Sequence, residues 1–287
     1  MLNFHTKEDR SIVNELRHFV PNYRGLNKIP KVYLSMTSSP DRLKNIGLVL
    51  NLLDLSHVFQ IHINLPKFYR NDQKLTYRDK DIKFLEGLDS HIRVYIVGED
   101  LGPVTKILPT LMRVKDGLVI SIDDDIGYPF DTISVLIRAG MKYPKQVSCL
   151  GGFTLGGKGM ETDYFKDTKW EHLWPTTVSK FPYIDIVEGF SGVVYPRKLI
   201  SKSVVDRILE LSKLCRLSDD LTISYSLAEH GIVRKSLKRT YDVQPFTYGE
   251  GADALHVGEG AVDANFIKYE KCLTGLGPRK RRSRKRS

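Results

Sequence analysis

The chain has 287 residues, of which 41% are hydrophobic and 27% charged, an ordinary globular composition with enough apolar mass for one large domain or two small ones. No run of about 18 apolar residues occurs, which excludes a transmembrane helix, and the N-terminus lacks the apolar core of a secretion signal. The net charge of +10 is largely a tail: Arg279 to Ser287 hold seven basic and no acidic side chains, leaving +3 elsewhere.

Taken in chain order, residues 1–28 carry Ile12, Val13, Leu16, Phe19 and Val20 at helical spacing, and Pro21 stops the pattern. Pro30 to Thr37 reads as a first strand, Leu43 to Leu55 as a crossover helix, and Val58 to Leu65 as a second strand. Ile92 to Val97 is a third strand, Thr105 to Val114 a short helix, and Leu118 to Ile122 a fourth strand. Strands alternating with helices at this pitch predict βαβ units and a mainly parallel sheet. The segment 150–260 is less regular, with Lys202 to Leu214 and Asp219 to Glu229 as two further helices. Cys149, Cys215 and Cys272 are widely spaced and read as reduced, mostly buried thiols of a cytoplasmic protein.

The most informative stretch is Gly117 to Pro129, where an apolar, β-branched strand empties into Asp123, Asp124 and Asp125. Three like charges at one strand end repel, so their clustering requires a counter-charge, and a hard divalent cation with oxygen ligands supplies it economically. An acidic surface loop is the plainer alternative, disfavoured by the buried strand that feeds the triplet. Small or polar residues also follow the other strands, at Thr37 to Ser39 and Gly98 to Asp100. In an open α/β sheet such loops gather at the carboxyl edge, where ligands bind.

Together, Ser35 to Arg42, Leu101 to Lys106, Asp123 to Asp125, Glu188 to Gly192, Ser218 to Leu221 and a late His256 resemble a GT-A glycosyltransferase, the nucleotide-sugar-dependent type with a DxD motif. The combination is similar to the small glycosyltransferases of large algal (chlorella) viruses. The resemblance implies a GT-A, Rossmann-like α/β fold whose mainly parallel sheet is flanked by helices, with an acceptor-side extension. It implies a domain over 29–272, with a nucleotide-sugar half at 29–130 and an acceptor half at 131–272. Residues 273–287 are then a disordered basic tail.

The same resemblance implies site roles. Asp125 is the metal ligand, with Asp123 as ribose or metal contact, His256 as an added ligand, and Asp124 pointing toward the donor sugar. Thr37, Ser38 and Arg42 grip base and diphosphate, although Ser-Pro-Asp is also plain turn chemistry. Lys106, whose place near a helix start suggests an outside partner, contacts the diphosphate or a sugar-binding Asp, unless it is simply a solvated surface lysine. Asp220 is the general base for the acceptor hydroxyl and Asp219 its cap or partner, unless both merely cap the helix. Tyr164, Phe165, Trp170 and Trp174, with Glu171 and His172, form either an acceptor lid or a loop pinned to the core. The implied cofactors are Mn2+ or Mg2+ and a UDP- or GDP-linked sugar donor, and the acceptor is a glycan or glycoprotein.

A metal-dependent nucleotidyltransferase or phosphotransferase also needs paired carboxylates, but it usually carries a Gly-rich phosphate loop and none occurs here. A nucleic-acid-binding protein acting through Arg279 to Ser287 is the non-enzymatic rival, and the nearly neutral body argues against it. That tail is equally suited to an anionic membrane, to nuclear targeting, or to solubility alone.

Overall fold

The computed structural model describes residues 7–16, 21–24, 28–154, 171–173, 184–215, 218–237 and 244–246. Strands β1 (Val32–Met36), β2 (Gln60–Pro66), β3 (Ile92–Val97) and β4 (Leu118–Ser121) alternate with helices α2 (Ile46–Leu52), α3 (Asp79–Glu86) and α4 (Leu108–Arg113). Beyond them lie β5 (Ile126–Gly127), α5 (Thr132–Lys142), β6 (Gln146–Cys149) and β10 (Val193–Pro196). Helices α6 (Lys202–Leu214) and α7 (Asp219–Glu229) then precede β11 (Val233–Ser236). Seven strands form one sheet in the order β11-β6-β10-β4-β1-β2-β3. All neighbours are parallel except β10, which runs antiparallel between β4 and β6. The expected α/β, mainly parallel GT-A-like sheet is therefore observed.

The period-2 alternation of the strands builds two cores, one on each face. Val32, Leu34 and Met36 of β1, Leu118 and Ile120 of β4 and Val194 of β10 pack against α2 and α5. Tyr33, Val119, Val193 and Tyr195 point the other way, onto Leu108 and Leu111 of α4, Val204 and Ile208 of α6, and Ile223 and Leu227 of α7. The sheet is mostly apolar on both faces, the pattern of a sheet covered on both sides, with Ser35, His62, Asn64, Ser121 and Ser148 as buried polar exceptions.

Two small sheets flank the large one: β12 (Gln244–Pro245) pairs with β5, and β7 (Gly152–Thr154) lies between β8 (Glu171–Leu173) and β9 (Ile186–Val187). The N-terminal helix α1 spans Lys7–Leu16, and Leu16 is buried in the first core. Phe19 and Val20, expected to extend it, lie outside the described residues. Among the described residues no helix is long and apolar enough to cross a membrane.

Two expected helices are shorter than their periodicity. The helix expected over Leu43 to Leu55 is a 3-10 turn at Leu43–Asn45 followed by α2, and Leu53 is already extended. The helix expected from Thr105 is a 3-10 turn at Gly102–Lys106, then α4 from Leu108, with Ile107 at φ −121° between them. Pro109 sits in the first turn of α4, where its missing N–H costs nothing but where no helix can run through it. The reduced-thiol expectation holds for Cys149, which is free and buried. It fails for Cys215, which is disulfide-bonded through a partner outside the described residues; spacing along a chain does not report pairing in space.

One buried polar side chain makes stability pH-dependent. His62 of β2 lies edge-on to Tyr33 and Tyr95, at 5.5 and 4.9 Å between ring centroids. Burial, reinforced by Arg113 and Arg93, lowers its pKa to about 4. A lowered folded-state value means the neutral form is favoured by folding, so this contribution is complete above the ordinary value near 6.5 and lost as pH falls toward 4. Urea unfolding at pH 7 and pH 4.5 should show wild type losing about 2 kcal/mol more than His62→Gln between the two pH values. Parallel pH profiles of the two proteins would contradict this.

Candidate active site

The fold brings the carboxyl ends of β1 and β4, the turn entering β10 and the first turn of α7 to one edge of the sheet. Strand β1 delivers Thr37 and Ser38, and β4 delivers the Asp triplet. Because β10 is antiparallel, its entry loop, Glu188 to Gly192, reaches the same edge.

On the β1 side, the Thr37 hydroxyl donates to the Asn64 carbonyl at 2.7 Å, and the Tyr77 hydroxyl donates to the Ser38 carbonyl at 2.8 Å. Ser38 Oγ donates to Asp124 Oδ2 at 2.5 Å. The Arg42 guanidinium spans two carboxylates, Asp124 at 3.1 Å and Asp125 at 2.6 Å. Arg42 N also bonds the Ser39 carbonyl at 3.1 Å, so the segment is a turn and a carboxylate clamp at once. Asp124, expected to point toward the donor sugar, is buried, with Ser38 and Arg42 holding its two oxygens.

Lys106 lies at the centre. Its buried ammonium meets Asp123 at 2.6 Å and Asp219 at 2.8 Å, bridging the triplet to α7. The backbone that aims it is fixed from below: Ser35 Oγ donates to the Lys106 carbonyl, and Asn64 Nδ2 donates to the same carbonyl at 3.2 Å. Thr110 ties this network together, 2.7 Å from Ser35 Oγ and 3.0 Å from Asn64 Nδ2.

On the α7 side, Ser218 is the helix cap, its Oγ accepting from Leu221 N at 3.2 Å. Neither Asp219 nor Asp220 caps, contrary to the expectation that one of them would. Asp219 is paired with Lys106, and Asp220 Oδ1 accepts from Gly189 N at 2.7 Å. A larger residue at Gly189 would displace the ion pair: a Cβ there would come within 2.6 Å of Lys106 Nζ and 2.7 Å of Asp219 Oδ2. Gly192 closes the same turn at φ +96°, a conformation that favours glycine.

Among the described residues the charge balance of the edge is negative: Asp123, Asp124, Asp125, Glu188, Asp219 and Asp220 act on one another and on two cations, Arg42 and Lys106. Burial alone would discharge Lys106, but Asp123, Asp219 and Asp220 outweigh it and hold the ammonium well above its ordinary value. Burial lifts Asp124 to about 7 against the pull of Arg42. Burial and Asp123 lift Asp125, and burial and Asp219 lift Asp220 well above the carboxylate range.

An excess of hard oxygen donors over cations suits a divalent ion such as Mg2+ or Mn2+. Among the described residues no three His, Cys, Asp or Glu side chains form a complete metal cage. Mg2+ is ordinarily held by one or two carboxylates plus substrate phosphates, so the donor set fits such an ion shared with a ligand. Asp123 and Asp125 are the partly exposed members of the triplet. His256, expected as an added ligand, lies outside the described residues, as do Tyr164, Phe165, Trp170, Trp174 and the basic tail at 279–287. Glu171 and His172 are backbone members of β8.

Sequence reasoning passed over Tyr128, Asn64, Ser35 and Thr110. Tyr128 is fully buried; its hydroxyl accepts from Asp123 N at 2.9 Å and donates to the Phe190 carbonyl at 2.7 Å. A polar residue at an inward strand position, Asn64 between Ile63 and Leu65, was the available signal.

No protein-family model matches the sequence, and no curated protein matches it at a significant level. Among solved structures, the chain is similar to the crystal structure of GalNAc-T7 with UDP, GalNAc and Mn2+, at a TM-score of 0.51 and 10% identity. The match covers 83% of this chain and 52% of the other, so this chain spans about half the length of that structure. At such low identity the likeness is one of fold, a glycosyltransferase fold of the GT-A type.

Proposed function

We propose that this chain is a metal-dependent glycosyltransferase that moves a sugar from a nucleoside-diphosphate donor to a glycan or glycoprotein hydroxyl. The reading is carried by one observation: Lys106 joins Asp123 of the triplet to Asp219 at the start of α7. This contact supports a donor site at the triplet sharing one electrostatic centre with the start of α7, which carries the candidate base Asp220. The fold likeness to a protein holding UDP and Mn2+ supports the same donor class.

In this reading Asp123 and Asp125 would hold the divalent ion, which would supply Lewis-acid neutralisation of the diphosphate's charge. Arg42 holds Asp124 and Asp125 in place, and Thr37, Ser38 and the turn to Arg42 face the nucleotide. The acceptor oxygen forms its bond to the anomeric carbon as the carbon–oxygen bond to the diphosphate breaks. Asp220 takes the acceptor proton, held toward the site by Gly189 N.

UDP- and GDP-linked sugars incubated with the chain and Mn2+ should release nucleoside diphosphate for one donor class, faster when glycan acceptors are added. Release of pyrophosphate or phosphate from nucleoside triphosphates, with no sugar transfer, would replace this reading with the nucleotidyltransferase or phosphotransferase one.

A further inference from the structure

Tyr128 joins two turns that are remote in sequence and carry opposite halves of the site. Its hydroxyl takes the Asp123 amide at the first residue of the triplet and gives its proton to the Phe190 carbonyl, 62 residues away. The Phe190 turn is the one whose Gly189 amide holds Asp220. A single buried hydroxyl therefore touches the backbone of both turns, with one hydrogen bond in each direction. The ring itself packs in the first core with Leu16, Ile133 and Phe246, where phenylalanine would fill the same space.

We propose that Tyr128 is a positioning residue that locks the Asp123–Asp125 turn and the Gly189–Gly192 turn into one unit, so that the carboxylates on the two sides keep a fixed separation. Lys106 also spans the two sides, but through flexible methylenes and side-chain oxygens. Tyr128 fixes backbone to backbone through an aromatic ring, which has no bend between Cβ and the hydroxyl. That the two turns serve a donor and an acceptor rests on the proposed function; their coupling does not.

The test is amide hydrogen exchange on the ligand-free chain, wild type and Tyr128→Phe. The variant should exchange about tenfold or more faster at both Asp123–Asp125 and Gly189–Gly192, with β1 and α5 unchanged. Acceleration at neither turn, or at one alone, overturns the proposal. Should the variant not fold, wild type decides alone. The Asp123 amide and the Ser191 and Gly192 amides, which bond Glu188 O and Gly189 O at 3.2 and 3.3 Å, should then open with one free energy and one denaturant slope. Separate openings overturn the coupling.

Turnover gives the functional arm. If a nucleotide sugar is a substrate, Tyr128→Phe should lower kcat by about 10- to 100-fold, the cost of misplacing reacting groups, while donor KM stays within about threefold. An unchanged kcat in an otherwise active enzyme refutes the positioning role. A wild type that turns over no nucleotide sugar counts against the function alone, and the exchange result still stands.

Discussion

Asp220→Asn should abolish most turnover while leaving the protein at least as stable as wild type. The asparagine Oδ1 can accept from Gly189 N as the carboxylate does at 2.7 Å, so the geometry of the turn survives. Only proton-accepting capacity is lost, and a positioned general base is worth about 10²–10⁴ in rate. Donor affinity should change little, because Asp220 is held by Gly189 N and, among the described residues, makes no hydrogen bond to the triplet. Burial and Asp219 raise the Asp220 pKa well above its ordinary value. For a raised group the favourable state is the protonated one, present at low pH and lost as pH rises through the folded-state value. The buried carboxyl of Asp220 therefore costs stability at neutral pH, and the neutral amide removes that cost. Steady-state kinetics beside urea unfolding checks both halves. A kcat within about threefold of wild type would move the base to Asp219 or Glu188.

Lys106→Met should have the largest effect on folding. The substitution keeps most of the buried volume but leaves Asp123 and Asp219, at 2.6 and 2.8 Å from the lost ammonium, without a counter-charge. Breaking a buried ion pair by removing one partner costs about 3–5 kcal/mol, because a charge stays behind in a poor solvent for it. Here two charges stay behind, next to four more carboxyl groups and, among the described residues, one remaining cation, Arg42. Adding Asp219→Asn to Lys106→Met should recover about 1–3 kcal/mol, since the pair is in contact and non-additive. Denaturant midpoints of the two single variants and the double variant close the cycle. A loss under about 1 kcal/mol for Lys106→Met would mean that the carboxylates are solvated or protonated, and that Lys106 is not the centre of the site.

The sheet was legible because its strands are apolar runs with turn chemistry at both ends. Ile92–Val97 is observed as expected, and β1 and β4 differ from the expected spans by a residue or two. Helices α6 and α7 coincide with their periodic segments. The triplet was legible as a charge anomaly at a strand end. What could not be read is what each carboxylate meets. Ser38 and Asp124 are 86 positions apart, and Gly189 and Asp220 are 31 apart; no periodicity reports contacts at that range. The burial of Asp124 rests on its contacts with Ser38 and Arg42. The capping role went to Ser218 because its hydroxyl, one residue earlier, reaches Leu221 N and frees both aspartates for the site. Tyr128 sits three residues after the triplet and reads locally as an ordinary aromatic core residue. Its function depends on a carbonyl 62 residues away.

The most direct measurement is calorimetric titration of UDP and GDP into wild type and Asp125→Asn, each with and without Mn2+. One nucleotide should bind wild type in the presence of the metal, with affinity falling at least tenfold in its absence. Asp125→Asn, which keeps shape but removes a hard anionic ligand, should bind with the same weak affinity whether or not the metal is present. Nucleotide binding that ignores both the metal and Asp125, or no nucleotide binding at all, would contradict a metal-dependent nucleotide-sugar site at the Asp triplet.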